Sequence, residues 1–221
     1  GGATWRRLAN GLPEGELGRI GVAVSPARTS RVYAVVESKR TAFYRSDDCG
    51  EHWTRLNDSN MNVTWRPFYF ANVVPDPKDF DRVYKGALNL AVSDDGGLTF
   101  GGSGAAHAAY HSDVHALWVD PRNTEWMVMG NDGGLAVSQD RGATWRSVQN
   151  LPVGQFYHVG YDMDVPYHVY GGLQDNGVWR GPSRHPGGVP NRAWESLNMG
   201  DGMWALVDPA DGRTLYSEYQ G

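Results

Sequence analysis

The stretch SDDCGEHW, from Ser46 to Trp53, is a polar turn sequence closed by a large aromatic residue, with the spacing Ser-x-Asp-x-Gly-x-x-Trp. The same spacing recurs in SDDGGLTF (93–100) and in SQDRGATW (138–145). Asp and Ser side chains accept hydrogen bonds from turn N–H groups, and Gly permits a positive φ. We therefore expect three fold-stabilising turns of one design, without a catalytic role. Their residues are Ser46, Asp48, Gly50, Trp53, Ser93, Asp95, Gly97, Phe100, Ser138, Asp140, Gly142 and Trp145.

The closing aromatic residue recurs along the whole chain. Trp5 ends a partial copy that contains Gly2, and Trp194 ends a degenerate copy. The aromatic residues at 5, 53, 100, 145 and 194 are separated by 48, 47, 45 and 49 residues. Self-similarity at such a period indicates a repeat architecture.

Each repeat contains four short apolar runs separated by turn signals, for example RVYAVV (31–36) and EWMVMG (125–130). Four short strands repeated at this period are typical of a β-propeller blade. We predict an all-β fold, a β-propeller of four-stranded antiparallel blades, with about four to five blades present as part of a larger ring. The chain is then one propeller segment, 1–221, with repeats at approximately 1–18 (the final strand of a preceding blade), 19–60, 61–106, 107–152, 153–200 and 201–221 (partial).

Composition narrows the function classes. The 221 residues carry a formal net charge of −5, which argues against nucleic acid as a partner because phosphate binding needs a concentrated basic face. No apolar run approaches the roughly 20 residues of a transmembrane helix. Cys49 is the single cysteine, so an internal disulfide framework is excluded.

The Ser-x-Asp-x-Gly-x-x-Trp pattern resembles the Asp-box, also called the bacterial neuraminidase repeat (BNR). That repeat occurs in sialidases, xyloglucanase-type glycoside hydrolases, sortilin-type receptor domains and photosystem II assembly-factor propellers. The phrases HSDVHALWVDP, GNDGGLAVSQDRGATW and GGLQDNGVW are similar to sortilin-like and glycosyl-hydrolase-like repeat proteins. The sialidase arginine triad and the paired aspartate motifs of xyloglucanase-type enzymes are not recognisable, so no activity is carried over residue by residue.

Blade geometry places the turns between second and third strands, and the links between blades, at one end that we call the upper rim. Propellers commonly bind ligands there, by fold analogy. Glycosidases need two carboxyl groups about 5 to 9.5 Å apart. The candidate acids at this rim are Asp113, Asp132, Asp175, Asp201 and Glu218, and turn bracing is the alternative role for them. The candidate binding residues are His111, His115, His158, Gln174, Trp65 and Trp204.

The segment HSDVH is the most specific local constellation. On an extended strand, His111, Asp113 and His115 would point to one side and could hold a divalent metal. The alternatives are hydrogen bonds to neighbouring blade loops, which we favour, and a metal-free ligand site. We expect neither a metal nor a cofactor. Aromatic residues at the rim are platforms for sugar or peptide, or packing residues: Trp65, Tyr69, Phe70, Tyr110, Phe156, Tyr157 and Trp204.

From these features we expect a non-catalytic binding or scaffolding module that is extracytoplasmic. Its partner would be a protein in a larger complex, or a peptide or glycan at the upper rim, with no nucleic acid and no transmembrane segment in this chain. The alternative is a glycoside hydrolase that uses paired carboxylates.

Overall fold

A computed structural model describes residues 2–102, 109–151 and 153–220, and this part of the chain is nearly all β. It forms four four-stranded sheets and one two-stranded sheet, in which every strand pairs antiparallel with its neighbour in the chain. The predicted β-propeller segment of four-stranded antiparallel blades is therefore confirmed. The repeat boundaries predicted at 106/107 and 152 lie outside the described residues. No helix in the described ranges has the length and apolarity needed to cross a membrane.

The chain divides into two compact units, Gly1–Gln149 (unit N) and Asn150–Gly221 (unit C). In unit N, sheet 1 contains β1 (Ile20–Val24), β2 (Val32–Val36), β3 (Ala42–Ser46) and β4 (Thr54–Asn57). A one-turn helix, α1 (Met61–Thr64), precedes sheet 2, which contains β5 (Val73–Pro75), β6 (Val83–Lys85), β7 (Ala91–Ser93) and β8 (Gly101–Gly102). Sheet 3 contains β9 (Val114–Val119), β10 (Met127–Asn131), β11 (Gly134–Ser138) and β12 (Arg146–Val148).

Unit C contains sheets 4 and 5. Sheet 4 comprises β13 (Phe156–Tyr161), β14 (His168–Leu173), β15 (Gly177–Pro182) and β16 (Glu195–Asn198), and sheet 5 comprises β17 (Gly202–Val207) and β18 (Leu215–Tyr219). A 3₁₀ turn, Asn191–Ala193, precedes Trp194. A Cβ atom at Gly181 would lie 2.5 Å from the Trp194 ring, so this degenerate copy keeps its aromatic packing without the Ser and Asp of the turn.

Alternating side chains of the second strands build the core of unit N. Tyr33 of β2 is fully buried and packs with Phe43 and with Val83 of sheet 2. Tyr84 of β6 packs in the same way with Met127 of sheet 3. Because successive strand residues point to opposite faces, one face of each second strand is buried against the next sheet. Burial of apolar surface in these layers is the main favourable term for folding.

The three Ser-x-Asp turns join the third and fourth strands of sheets 1, 2 and 3. In the first turn, the Ser46 Oγ donates to Asp48 Oδ1 (2.8 Å) and accepts from the Gly50 N–H (2.8 Å). Asp48 Oδ1 also accepts from the His52 N–H at 2.9 Å. The same bonds recur in the turns of Ser93 and Ser138, with distances from 2.7 to 2.9 Å. The repeated residues therefore satisfy backbone donors that the turn leaves without helix or sheet partners.

The residue before the glycine of each turn has a left-handed backbone conformation. These residues are Cys49 (φ 63°), Gly96 (φ 70°) and Arg141 (φ 60°). Their N–H groups donate to the turns between first and second strands, at Ser30 O (2.8 Å), Asp81 O (2.7 Å) and Glu125 O (3.1 Å). The two kinds of turn are thus tied together at one end of each sheet of unit N, which we call the lower end.

Candidate functional site

The opposite, upper end of unit N carries a group of aromatic and polar side chains that we call the rim cluster: Trp65, Tyr69, Phe70, His115 and Asp132. The segment that supplies its aromatic residues follows α1. Asn60 caps α1 by accepting from the Asn62 N–H at 2.9 Å, and the Trp65 N–H donates to Met61 O. The helix therefore ends at Thr64, and two of the aromatic residues that follow it, Tyr69 and Phe70, contact His115 of sheet 3.

His115, at the start of β9, lies at the centre of the rim cluster. Its ring stacks on the ring of Phe70 (centroids 5.6 Å apart, 20° between planes) and meets the edge of Tyr69 (4.8 Å, 83°). Its Nε2 lies 3.1 Å from Asp132 Oδ1, in the turn between β10 and β11. The Trp65 ring also stacks on the Phe70 ring, with the two centroids 5.9 Å apart. The imidazole is thus oriented by two aromatic residues and one carboxylate.

The rim cluster has an exposed edge. Phe68 is 60% exposed and Tyr69 is 39% exposed, whereas Phe70 is buried. Arg19 holds the backbone of this edge, because its guanidinium donates to Phe68 O at 3.0 Å and Tyr69 O at 3.4 Å. Tyr69 is among the rim aromatic residues named from the sequence, but Phe68 is not.

The metal arrangement considered for HSDVH is not formed. Strand β9 begins only at Val114, and Asp113 has a φ of 61°, so the chain is not extended through His111, Asp113 and His115. The left-handed residue breaks the alternation that would bring the three side chains to one face. His111 Nδ1 instead lies 3.2 Å from Ser112 O, and the Asp113 carboxylate accepts from the Ser112 hydroxyl at 3.4 Å.

Other residues of unit N that lie near the predicted rim positions have local roles. The Arg66 guanidinium lies 4.8 Å over the Trp65 ring. Asn131 Oδ1 accepts from the Gly133 N–H at 3.0 Å and braces its own turn. Tyr110 is buried against the edge of Trp145 rather than presented at the surface.

In unit C, the His158 ring stacks flat on Trp204 (3.9 Å, 9°). Asp201 Oδ1 accepts from the Asp175 N–H at 3.0 Å and from the Tyr157 hydroxyl at 3.4 Å. Predicted acids and aromatic residues therefore do come together here. Glu218 and Trp204 share a shallow depression of about 340 Å³ with Leu206 and Tyr216.

In unit C, the predicted binding residue Gln174 and also Gln220 contribute backbone hydrogen bonds. The Gln174 N–H donates to Gln155 O at 3.0 Å, and the Gln220 N–H donates to Asp201 O at 2.9 Å. Phe156, at the start of β13, is 44% exposed.

A second polar cluster, which the sequence reasoning missed, lies in the turn between β13 and β14. Among residues 2–102, 109–151 and 153–220, Asp162, Asp164 and His168 form the one group whose metal-ligating atoms come within 4.8 Å of one another. Burial raises the pKa of Asp162, but hydrogen bonds from the His168 N–H, the Tyr170 hydroxyl, the Asp164 N–H and the His168 ring outweigh it and hold that pKa at about 2. These hydrogen bonds occupy the Asp162 carboxylate oxygens, so the three residues stabilise the turn.

Lys85, also missed, lies in the core beneath the rim cluster and is fully buried. Burial lowers the pKa of its amine to about 8. A comparison of the repeats could have found it, because equivalent positions hold Ala34 and Met129. Asp162 had a similar signal, since Asp76, Asp120 and Asp208 also directly follow first strands.

No protein-family model matches the chain. The chain is 27% identical over 213 residues to the oligoxyloglucan-reducing end-specific xyloglucanase of Emericella nidulans. This match covers 86% of the chain but 25% of that enzyme, so the chain spans a quarter of the length of this curated relative.

Two solved structures illustrate the range of similar proteins. The GH74 xyloglucanase from Xanthomonas campestris has a TM-score of 0.46 and 17% identity, with 88% of this chain and 34% of that chain covered. A structure of YCF48 bound to a D1 peptide has a TM-score of 0.43 and 13% identity, with 82% and 55% covered. The chain is thus similar to glycosyl-hydrolase-like and YCF48-like proteins.

Proposed function

We propose that the chain is part of an Asp-box β-propeller that binds an extended peptide or a glycan at its upper rim, as a non-catalytic binding or scaffolding module. The observation that carries this proposal is the exposed edge of the rim cluster. There the half-exposed Tyr69 contacts His115, which is paired with Asp132, and the adjacent residue Phe68 is 60% exposed.

The chemistry of this edge suits such ligands. An aromatic ring offers apolar area to a sugar face or to a peptide side chain, and adjacent polar groups fix orientation. Arg19 limits the backbone motion of the Phe68–Tyr69 segment through its two hydrogen bonds, so less conformational entropy is lost on binding.

Peptide and glycan arrays probed with the purified chain test this proposal. We expect retention on one ligand class, and at least a tenfold loss of affinity for Phe68→Ala and Tyr69→Ala. Trp126→Ala is the matched control, because Trp126 is 47% exposed but precedes β10 at the lower end. The absence of retention on both arrays, or an equal loss with the control variant, would refute binding at the rim.

We also propose an extracytoplasmic location and a protein partner in a larger assembly. The support is the resemblance of the three turns to the Asp-box and the similarity to a YCF48 that binds a peptide. Cell fractionation of the source organism, followed by affinity purification of the tagged protein, tests both parts. Recovery in the cytoplasmic fraction without a stoichiometric partner would contradict them.

A second candidate is a glycoside hydrolase, and the xyloglucanase relative favours it. In unit C, Asp201 accepts a hydrogen bond from the backbone of Asp175, so two candidate acids lie near one another. Release of oligosaccharides from xyloglucan, abolished in Asp201→Ala and kept in Asp211→Ala, would support hydrolysis and refute the non-catalytic reading. Array retention without any turnover would exclude this second candidate.

A further inference from the structure

A buried cation lies in the core of sheet 2, where the other sheets of unit N have apolar residues. The Lys85 side chain is fully buried on β6. It follows Arg82 by three residues, as Ala34 follows Arg31 and Met129 follows Trp126. The three positions are equivalent, because the carbonyls of Arg31, Arg82 and Trp126 each accept from the N–H of the residue that follows the first strand of the sheet. The fold therefore accommodates alanine or methionine at this position.

The Lys85 amine has only carbonyl partners in the hydrogen bonds that the structure records. Its Nζ donates to Phe70 O and to Gly86 O, each at 3.2 Å. Within the described ranges, no carboxylate lies within 4.0 Å of Nζ. Burying a cation without a counterion is costly, and a methionine here would avoid that cost. The burial of the Lys85 amine therefore calls for a local interaction that offsets this cost.

Both carbonyl partners lead to the rim cluster. Phe70 is the residue on whose ring His115 and Trp65 stack. The Gly86 N–H donates to Asn72 O at 3.1 Å, and the Asn72 amide donates to His115 O at 2.8 Å. Lys85 is thus connected to His115 by two short routes, one through the Phe70 ring and one through the backbone of β9.

We infer that Lys85 is a positioning residue for the rim cluster, and that it fixes the Phe70 carbonyl so that the Phe70 ring lies flat against His115. The inference deepens the proposed function, because the rim cluster is the proposed binding surface. Lys85 itself is fully buried and touches no ligand; it acts through Phe70 and His115.

NMR of the chain labelled with ¹³C and ¹⁵N at histidine tests this role without any ligand. Protons over an aromatic face are shifted upfield, so the His115 ring protons report their stacking on Phe70. The variants are Lys85→Met, which removes the donors, and Lys85→Gln, which keeps a neutral donor. Val83→Ala is the control, because Val83 is a fully buried residue of the same strand that packs toward sheet 1.

We expect Lys85→Met to keep a cooperatively unfolding β fold while its His115 signals move downfield toward those of free histidine. Lys85→Gln should recover part of the upfield shift, and Val83→Ala should keep all of it. Unchanged His115 signals in Lys85→Met, or an equal displacement in Val83→Ala, would overturn the inference. If Lys85→Met does not fold, Lys85→Gln decides alone, since its His115 signals must lie between those of wild type and of the unfolded chain.

This readout separates the inference from the proposed function. Displaced His115 signals in Lys85→Met, together with wild-type arrays that retain nothing, would support the positioning role and refute binding at the rim. Array retention by wild type with unmoved His115 signals in Lys85→Met would do the reverse.

Discussion

The two interfaces between neighbouring sheets of unit N have the same backbone but different polar chemistry. Where sheet 2 meets sheet 3, the residue that follows the first strand of sheet 2, Asp76, is fully buried. Arg141, in the Ser-x-Asp turn of sheet 3, donates to its carboxylate from Nε (3.2 Å) and Nη2 (3.0 Å). The remaining carboxylate oxygen accepts from the N–H groups of Lys78 and Asp79.

Where sheet 1 meets sheet 2, the equivalent pair is Ser25 and Gly96. The Ser25 hydroxyl is buried and has no hydrogen-bond partner in the described residues. A Cβ atom at Gly96 would lie 2.4 Å from the Arg45 Nη1, so a side chain there would displace this arginine, and the φ of 70° also favours glycine. The cation of the ion pair lies in sheet 1 here, since Arg31 donates to Asp81. At both interfaces an arginine of the earlier sheet also donates to the turn carbonyl, Arg45 to Gly96 O and Arg82 to Arg141 O.

The difference shows that the repeat conserves its backbone geometry while the charged partners exchange sides. The Ser-x-Asp turn and the main-chain bonds are the constant part. The ion pairs and the upper-rim residues are the variable part. We therefore expect the constant part to govern stability in every repeat alike, and the variable part to differ from one interface to the next.

Breaking the Asp76–Arg141 pair should have the largest effect. Arg141→Ala leaves a buried carboxylate without its cation, so we expect a loss of about 3 kcal/mol in the free energy of unfolding. The double variant Asp76→Ser, Arg141→Gly places at this interface the residues that the other interface has at Ser25 and Gly96. Glycine also relieves the left-handed strain at position 141. Urea unfolding should find the double variant more stable than Arg141→Ala; an additive loss would contradict the comparison.

Lys85 provides the next contrast, because Met129 occupies its place in sheet 3. The pKa of Lys85 is about 8 in the folded protein and 10.5 in the unfolded chain. Between these two pH values the unfolded chain therefore binds more protons than the folded protein. The unfavourable burial is fully present below pH 8 and is lost as pH rises to 10.5. Relative to Lys85→Met, the wild-type free energy of unfolding should rise by about 3 kcal/mol over this window. Parallel pH profiles of the two proteins would contradict a buried charged amine.

The constant turn can be tested at Ser46. Ser46→Ala removes the acceptor of the buried Gly50 N–H and the hydroxyl donor to Asp48, so we expect a loss of about 1 to 3 kcal/mol. Ser93→Ala and Ser138→Ala should cost similar amounts, because their hydrogen bonds are the same. Unequal losses in thermal unfolding would mean that the three turns are not equivalent.

The smallest effect is expected at Ser25. Ser25→Ala removes a buried hydroxyl without a recorded partner, so we expect no loss and a gain of up to about 1 kcal/mol in the free energy of unfolding. The same assay on Asp76→Ala should give a clear loss. A destabilised Ser25→Ala would show that this hydroxyl has a partner after all.

The sequence predicted the fold because its signal was local. Four residues within eight positions define each turn, and the turn chemistry recurs at a fixed period. The single-residue rim candidates were also local, yet the pairing of His115 with Asp132 depends on the register of β9 and β10. Residue type alone could not supply that pairing.

The unformed HSDVH arrangement and the missed residues have physical causes. The HSDVH alternation assumed an extended chain, and the left-handed conformation of Asp113 breaks it. Lys85 escaped notice because lysine is rarely buried without a charged partner. The Asp76–Arg141 pair joins residues 65 positions apart, a separation at which turn signals carry no information.

The left-handed residue of the Ser-x-Asp turn also makes the repeat easy to diversify. At position 141 the side chain reaches Asp76 and Asp79 of the preceding sheet, whereas at position 96 a glycine makes room for arginines from that sheet. A substitution at this one position of the turn can thus change the ion pairs between two neighbouring sheets. A designer who wants to reorder or recombine such layers should vary positions 49, 96 and 141 first.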